Sequence, residues 1–143
     1  MFFDLDCCVG HITDNFNKQI TEAFSKKLES TNITRTQWIA MYYIITRGLI
    51  SQRELSNLMM VADSSIGRLL DRLERDGLIQ RIKRDTDRRI SYLQLTEKGH
   101  EEMKPLMQIG VEFNNELLKG ITKEEKETYE RVLSKILNNI KNK

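Results

Sequence analysis

The chain is predicted to be mainly α-helical with one short β-ribbon, and three observations carry that expectation. Apolar residues recur every three or four positions through most of the sequence, the spacing of one face of an amphipathic helix. Three pairs with capping-box spacing, Thr34 with Gln37, Ser51 with Glu54 and Thr122 with Glu125, mark helix starts. After Gly77 the pattern changes to two runs suited to strands, LIQRIKR and ISYLQL, joined by the polar stretch DTDRR.

The elements follow in order. Leu5, Val9, Ile12, Phe16, Ile20, Phe24 and Leu28 trace one stripe on a long first helix, broken at Asn32-Ile33. Thr34 and Gln37 open a second helix through WIAMYYII that ends near Gly48. Ser51 and Glu54 start a short third helix whose apolar residues are Leu55 and Leu58. Met60-Val61-Ala62 reads as a tight turn, and a fourth helix begins near Asp63 with Ile66, Leu69, Leu70 and Leu73 inward. Gly77 stops it, because glycine accepts the left-handed conformation that closes a helix.

The two strands come next, with a loop around DTDRR. Thr96 caps a fifth helix carrying Met103, Leu106, Met107, Val111, Phe113, Leu117 and Leu118. Pro105 either kinks that helix or delays its start, and Gly120 ends it. A sixth helix from Thr122 bears Tyr129, Val132, Leu133, Ile136, Leu137 and Ile140, and the final NNIKNK is expected to fray.

At 143 residues the chain can bury a respectable core, and 39% apolar with 31% charged residues suits a soluble, helix-rich protein. A net charge of +2 does not announce a polyanionic partner; its distribution matters more. Between Gln80 and Arg89 five cations (Arg81, Lys83, Arg84, Arg88, Arg89) face two anions (Asp85, Asp87). No apolar run approaches the roughly 18 residues of a membrane span, and MFFDLDCCVGH is a poor signal peptide, so a cytoplasmic location is expected. Cys7 and Cys8 are adjacent and cannot staple distant parts of a fold, which also fits a reducing compartment.

Two short helices followed by a basic-tipped hairpin suit duplex DNA: a helix fits the major groove, and arginines reach phosphates or the minor groove. On the fourth helix Ser64, Ser65, Arg68 and Arg72 lie opposite the apolar stripe, available to base edges and phosphates. The bland alternative is a solvated face with Arg72 paired to Asp76. The stripes of the terminal helices exceed what a small winged domain can cover, so a second copy of the chain is expected to bury them.

The segments NITRTQWIAMYYI, SQRELSNLM, IGRLLDRLERDGLIQR and DTDRRISYLQLTEKG together resemble the MarR family of winged-helix transcription regulators over nearly the whole chain. The resemblance implies a winged helix-turn-helix DNA-binding domain over residues 34–96. Residues 1–33 and 97–143 would be N- and C-terminal helices forming a dimerisation domain. It further implies a homodimer on double-stranded DNA, at a pseudo-palindromic operator, most simply as a repressor, with a small-molecule effector or an oxidant weakening binding. Arg89 matches the arginine of the D-x-R wing and is expected in the minor groove, with Asp87 holding it by a two-pronged contact and Arg88 sharing the task or meeting a phosphate. Two departures stand out: Ala62 occupies the position where the family often offers a capping residue, and Asp63 follows where a basic or polar one is common.

Two rivals come from other classes. In a thiol sensor Cys7 or Cys8 would respond to peroxide; counted from the NIT motif, however, the family's reactive cysteine position is Gly10 here. A winged module for protein contacts would retain the shape without an operator. His11 and His100 have no metal-binding spacing, so no metal and no cofactor are expected. Met41, Met59, Met60, Met103 and Met107, with Phe16, Trp38 and Tyr42, offer an adaptable lining for a ligand, though most suit a core. No phosphate-cradling glycine loop, nucleophile elbow or Ser/His/acid set is present, so no enzyme is expected.

Overall fold

The computed structural model describes residues 2–142. It divides into two compact units, Met1–Gly110 and Val111–Lys143.

In the first unit a 3-10 turn, Leu5–Cys7, precedes α1 (Val9–Lys27). The two are separate because Asp4 caps the turn, its carboxylate accepting from the Asp6 N–H at 3.0 Å, and Cys8 is extended. Leu5 is therefore not on the first helix, contrary to the stripe read from spacing. The helix also ends earlier than expected, at Lys27, with Leu28 as its C-cap. A loop runs on from there, in which the Thr31 hydroxyl bonds the Leu28 carbonyl at 2.7 Å.

Helix α2 (Arg35–Arg47) starts on the expected capping box. Thr34 Oγ1 accepts from the Gln37 N–H at 3.2 Å, and the Gln37 side chain accepts from the Thr34 N–H at 2.9 Å. Ala40, Met41 and Ile44 are its fully buried face, and Gly48 ends it at φ 76°.

A two-residue strand, β1 (Ile50–Ser51), follows and leads directly into α3 (Gln52–Met59), where Ser51 caps the Glu54 N–H at 3.1 Å. Leu55 is buried, whereas Leu58 stays exposed. Met60 takes the left-handed conformation (φ 55°, ψ 44°), which makes the tight turn before α4 (Asp63–Arg75). At the far end of α4, Gly77 (φ 74°) lets the Leu78 N–H reach back to the Leu73 carbonyl at 2.9 Å, closing the helix as expected.

Strands β2 (Ile79–Arg84) and β3 (Asp87–Leu95) form the ribbon. The sheet has three strands, not two, in the order β1-β3-β2 and all antiparallel, with Ile50 opposite Leu93. Helix α5 (Glu97–Leu117) runs on through Pro105, so its start is not delayed. Thr96 caps it, accepting from the Gly99 N–H at 3.0 Å. Glycine is required there: a Cβ on residue 99 would stand 2.1 Å from the Leu78 carbonyl oxygen. One residue beyond Pro105, the Trp38 indole N–H donates to the Leu106 carbonyl at 2.8 Å. The same indole leaves no room for a side chain at Gly110.

The unit boundary falls within α5, which ends at Leu117, leaving Leu118 and Gly120 in the turn that follows. Helix α6 (Lys123–Lys141) opens on the expected capping box between Thr122 and Glu125. It remains helical to Lys141, where fraying was expected; Lys143 lies outside the described residues. Val9, Phe16 and Ile20 on α1 are exposed, as are Tyr129, Val132, Leu137 and Ile140 on α6. No described helix is long and apolar enough to cross a membrane.

Candidate nucleic-acid interface

Helix α4 is anchored by Ile66, Leu70 and Leu73, which are fully buried, so its opposite face is turned outward. Ser64, Ser65, Arg68 and Arg72 all lie exposed on that face. The pairing of Arg72 with Asp76 is not formed. Asp76 stands 3.6 Å from Arg75 Nε, and its carbonyl accepts from Lys98 Nζ at 2.8 Å. Among the described residues neither Arg68 nor Arg72 has an ion-pair partner.

The start of α4 departs from the usual cap. Ala62 is the N-cap and offers no side-chain acceptor. Asp63 is the first helical residue, where a negative charge complements the helix dipole. Its Oδ1 accepts from the Ser56 hydroxyl of α3 at 3.1 Å, and Ser56 is only 3% exposed. A buried hydroxyl thus fixes the first turn of α4 against α3.

The ribbon tip is shorter than the polar DTDRR stretch suggests. Arg84 pairs with Asp87, leaving only Asp85 and Thr86 as the connection, so Asp87, Arg88 and Arg89 belong to β3. Register is lost just inside the tip. Lys83 faces Ser91 while the next residue, Arg84, faces Asp87, so Arg88, Arg89 and Ile90 bulge from β3 with no partners on β2. Such irregularities re-aim side chains at the edge of a sheet.

Within the bulge, Arg89 Nε donates to Asp87 Oδ1 at 3.1 Å, its Nη2 to Oδ2 at 3.4 Å, and its backbone N–H to Oδ1 at 3.0 Å. These bonds hold the Asp87 carboxyl below its ordinary pKa, the guanidinium contributing most and the backbone N–H next. The Arg89 side chain is nonetheless 91% exposed. Arg88 makes a looser contact with Asp85 at 3.4 Å. Behind the tip, the Arg84 guanidinium lies 4.7 Å from the Tyr92 ring centroid.

An open cleft of about 710 Å³ lies between the start of α3 and β3, lined by Ser51, Arg53, Asp63, Arg89 and Ser91 among others. It brings the first turn of α4 and the wing arginine to one place. Arg53 joins them there. Sequence spacing gave no sign of it, because Arg53 meets the wing only through the pairing of β1 with β3.

The remaining candidates are dispersed. Met41 and Met103 are fully buried, Met60 is exposed in its turn, and Trp38 stacks on Tyr42 with centroids 5.7 Å apart. Cys7 is exposed and its thiol lies 3.3 Å from Asp4 Oδ2, while Cys8 is half-buried as the N-cap of α1. His11 Nε2 faces the Asn15 amide at 3.2 Å. Among the described residues no group of three or more His, Cys, Asp or Glu side chains could hold a metal ion.

The model of the MarR family matches residues 33–91. The transcriptional repressor MprA of Escherichia coli is 28% identical over 128 residues, which cover 88% of this chain and 73% of that protein. The HTH-type transcriptional regulator YybA of Bacillus subtilis, itself uncharacterized, is 30% identical over 115 residues, covering 80% and 76%. A solved cysteine-to-serine mutant of MarR from E. coli, complexed with operator DNA, aligns with a TM-score of 0.82 at 27% identity, covering 90% of this chain and 93% of that one.

Proposed function

Because the chain belongs to the MarR family of winged-helix, DNA-binding transcription regulators, we propose that it acts as a homodimeric repressor of a pseudo-palindromic operator. Residues 34–96 form the DNA-binding part, and residues 1–33 and 97–143 supply the dimerisation helices. Each α4 enters a major groove, with Ser64, Ser65, Arg68 and Arg72 meeting base edges and phosphates. Each wing places Arg89 in the neighbouring minor groove, with Arg88 against the backbone. Two-fold symmetry sets the half-sites about one helical turn apart.

The observation that carries this reading is the state of the arginines. Arg89 is pre-set by Asp87 yet almost wholly exposed, and Arg68 and Arg72 stand exposed on the outer face of α4. A planar cation already held in place loses less conformational freedom on meeting a narrow groove. The exposed apolar residues of α1 and α6 support the dimer, since burying such stripes between copies suits an interface of roughly 2,000 Å² or more.

A small-molecule effector releases the operator by preferring a spacing of the two winged lobes that misses the half-sites. A differential affinity of about 1–3 kcal/mol suffices. DNA as partner places the protein in the cytoplasm. Selection of bound fragments from genomic DNA, followed by gel-shift titration and size-exclusion chromatography, tests the proposal. Recovery of one two-fold symmetric motif bound by a dimer is expected, and enrichment of no motif removes operator recognition.

A further inference from the structure

Arg81 belongs to β2, but its side chain is directed at α4. Its Nη2 stands 2.9 Å from Asp71 Oδ1 and its Nη1 3.0 Å from Glu74 Oε1. The Arg81 backbone N–H donates to Glu74 Oε2 at 3.3 Å, and Nη2 also reaches the Gly67 carbonyl at 3.5 Å. Gly67, Asp71 and Glu74 are spaced four and three residues apart, so one guanidinium grips a single stripe across two turns of α4. The Arg81 side chain is 22% exposed, in contrast to the open arginine at the wing tip.

Two consequences follow from the geometry. The ribbon cannot roll about its own axis relative to α4 without breaking contacts at both acids. The register break between Lys83 and Arg84, which lets Arg89 bulge from β3, begins only two residues along β2 from Arg81. Asp71 is also occupied, and so is held away from Arg68, three residues before it on the helix, and from Arg75, four residues after it. Lysine could not replace this grip, because a single ammonium lacks the fork that meets two carboxylates and a carbonyl together.

We propose that Arg81 is a positioning residue for duplex recognition, fixing the wing of Arg89 and the Arg68–Arg72 face of α4 in one geometry without touching DNA itself. This rests on the reading of α4 and the wing as the DNA-binding surface and adds to it the element that aligns them. A purely stabilising role would lower the melting temperature and leave the preference for operator over random duplex unchanged in the folded protein.

The test uses the full chain, a fragment enriched by genomic selection and a random duplex of equal length, with affinities read by fluorescence anisotropy at fixed salt and folding by circular dichroism. The decisive variant is Asp71→Asn with Glu74→Gln, which weakens the grip while removing two exposed anions. Electrostatics alone would strengthen binding to every duplex. The clamp instead requires the operator-to-random affinity ratio to fall about tenfold, while random binding holds or rises.

Arg81→Met should lower the same ratio, and in an Arg89→Ala background its effect should shrink to less than about threefold, since no wing arginine remains to be aligned. If Arg81→Met is poorly folded, the double acid variant, which alters only exposed side chains, decides. An unchanged ratio in that variant, or equal losses from Arg81→Met with and without Arg89, overturns the proposal while wild-type selectivity preserves the functional reading. A wild type with no preference for any fragment overturns both.

Discussion

Asp87 grips Arg89 through both carboxylate oxygens and also accepts its backbone N–H, so one acid fixes the start of the bulge and the direction of its longest cation. The ion pair is almost fully solvated on the arginine side. Such a pair adds little to stability, and its consequence is orientation. Arg89→Ala is expected to weaken operator binding by about 1–3 kcal/mol, while helicity and dimerisation stay as in the wild type. Asp87→Ala should give a smaller loss, because the arginine remains but is no longer pre-set. Gel-shift titration beside circular dichroism checks both.

The same contact gives a pH dependence of defined sign. Folding lowers the Asp87 pKa, chiefly through the Arg89 guanidinium. The contact therefore favours the folded wing at pH values above the ordinary carboxylate range, and that contribution is lost as pH falls through the depressed value. The Arg89 Nε–H resonance should keep its hydrogen-bonded shift at neutral and mildly acidic pH. It should lose that shift only below the range where free aspartates titrate, and Asp87→Asn should abolish the transition.

Two glycines are expected to respond in opposite directions to the same change. Gly99→Ala drives a Cβ into the Leu78 backbone carbonyl, 2.1 Å away, where no side chain can yield. It should cost about 1–3 kcal/mol in stability. Gly67 lies mid-helix in α4, and the nearest atom to its added Cβ is the Gln52 side chain at 4.0 Å. Gly67→Ala should stabilise the chain by about 0.5–1 kcal/mol, because glycine weakens a helix interior. Thermal melts of the two variants decide.

The legible parts of this fold were those whose partners lie within a turn or two. The boxes at Thr34 and Thr122 are closed by residues three positions on, and the buried stripe of α4 repeats at helical spacing. Strand β1 was missed because two residues cannot show alternation, and because Ile50 is a strand residue only through Leu93. The break between Leu5 and α1 was hidden by a stripe that spans it, although Asp4 carries the capping oxygen. At the wing, charge composition marked residues 80–89, and the family resemblance singled out Asp87, Arg88 and Arg89. The bulge that aims them depends on register between β2 and β3, which no local pattern encodes. The grip of Arg81 on Asp71 and Glu74 was likewise out of reach, since it joins a strand to a helix.

Trp38, the only tryptophan, joins α2 to α5 and touches α1. It stacks on Tyr42, meets Phe24 edge-on at 5.2 Å and donates to the Leu106 carbonyl. Trp38→Phe removes that donor and part of the ring, and should cost about 1–3 kcal/mol from the lost hydrogen bond and the space the smaller ring leaves. Gly110→Ala would place a Cβ 2.5 Å from the indole Cζ2, so the ring must shift. A changed tryptophan emission maximum at unchanged helicity is the expected result, and an emission identical to wild type would show that α5 yields instead.

Salt dependence separates the two arginines of α4 from the wing. If Arg68 and Arg72 each neutralise a phosphate, the logarithm of operator affinity falls linearly with that of salt, each contact adding about 0.9 to the slope. Replacing either with alanine should lower the slope by about one and weaken random and operator duplexes alike. Arg89 occupies a groove whose width depends on sequence, so its removal should weaken the operator more than random DNA. A slope unaltered by Arg68→Ala and Arg72→Ala would mean that this face of α4 meets bases rather than phosphates. In that case the loss should appear at defined positions of the half-site when single base pairs are exchanged.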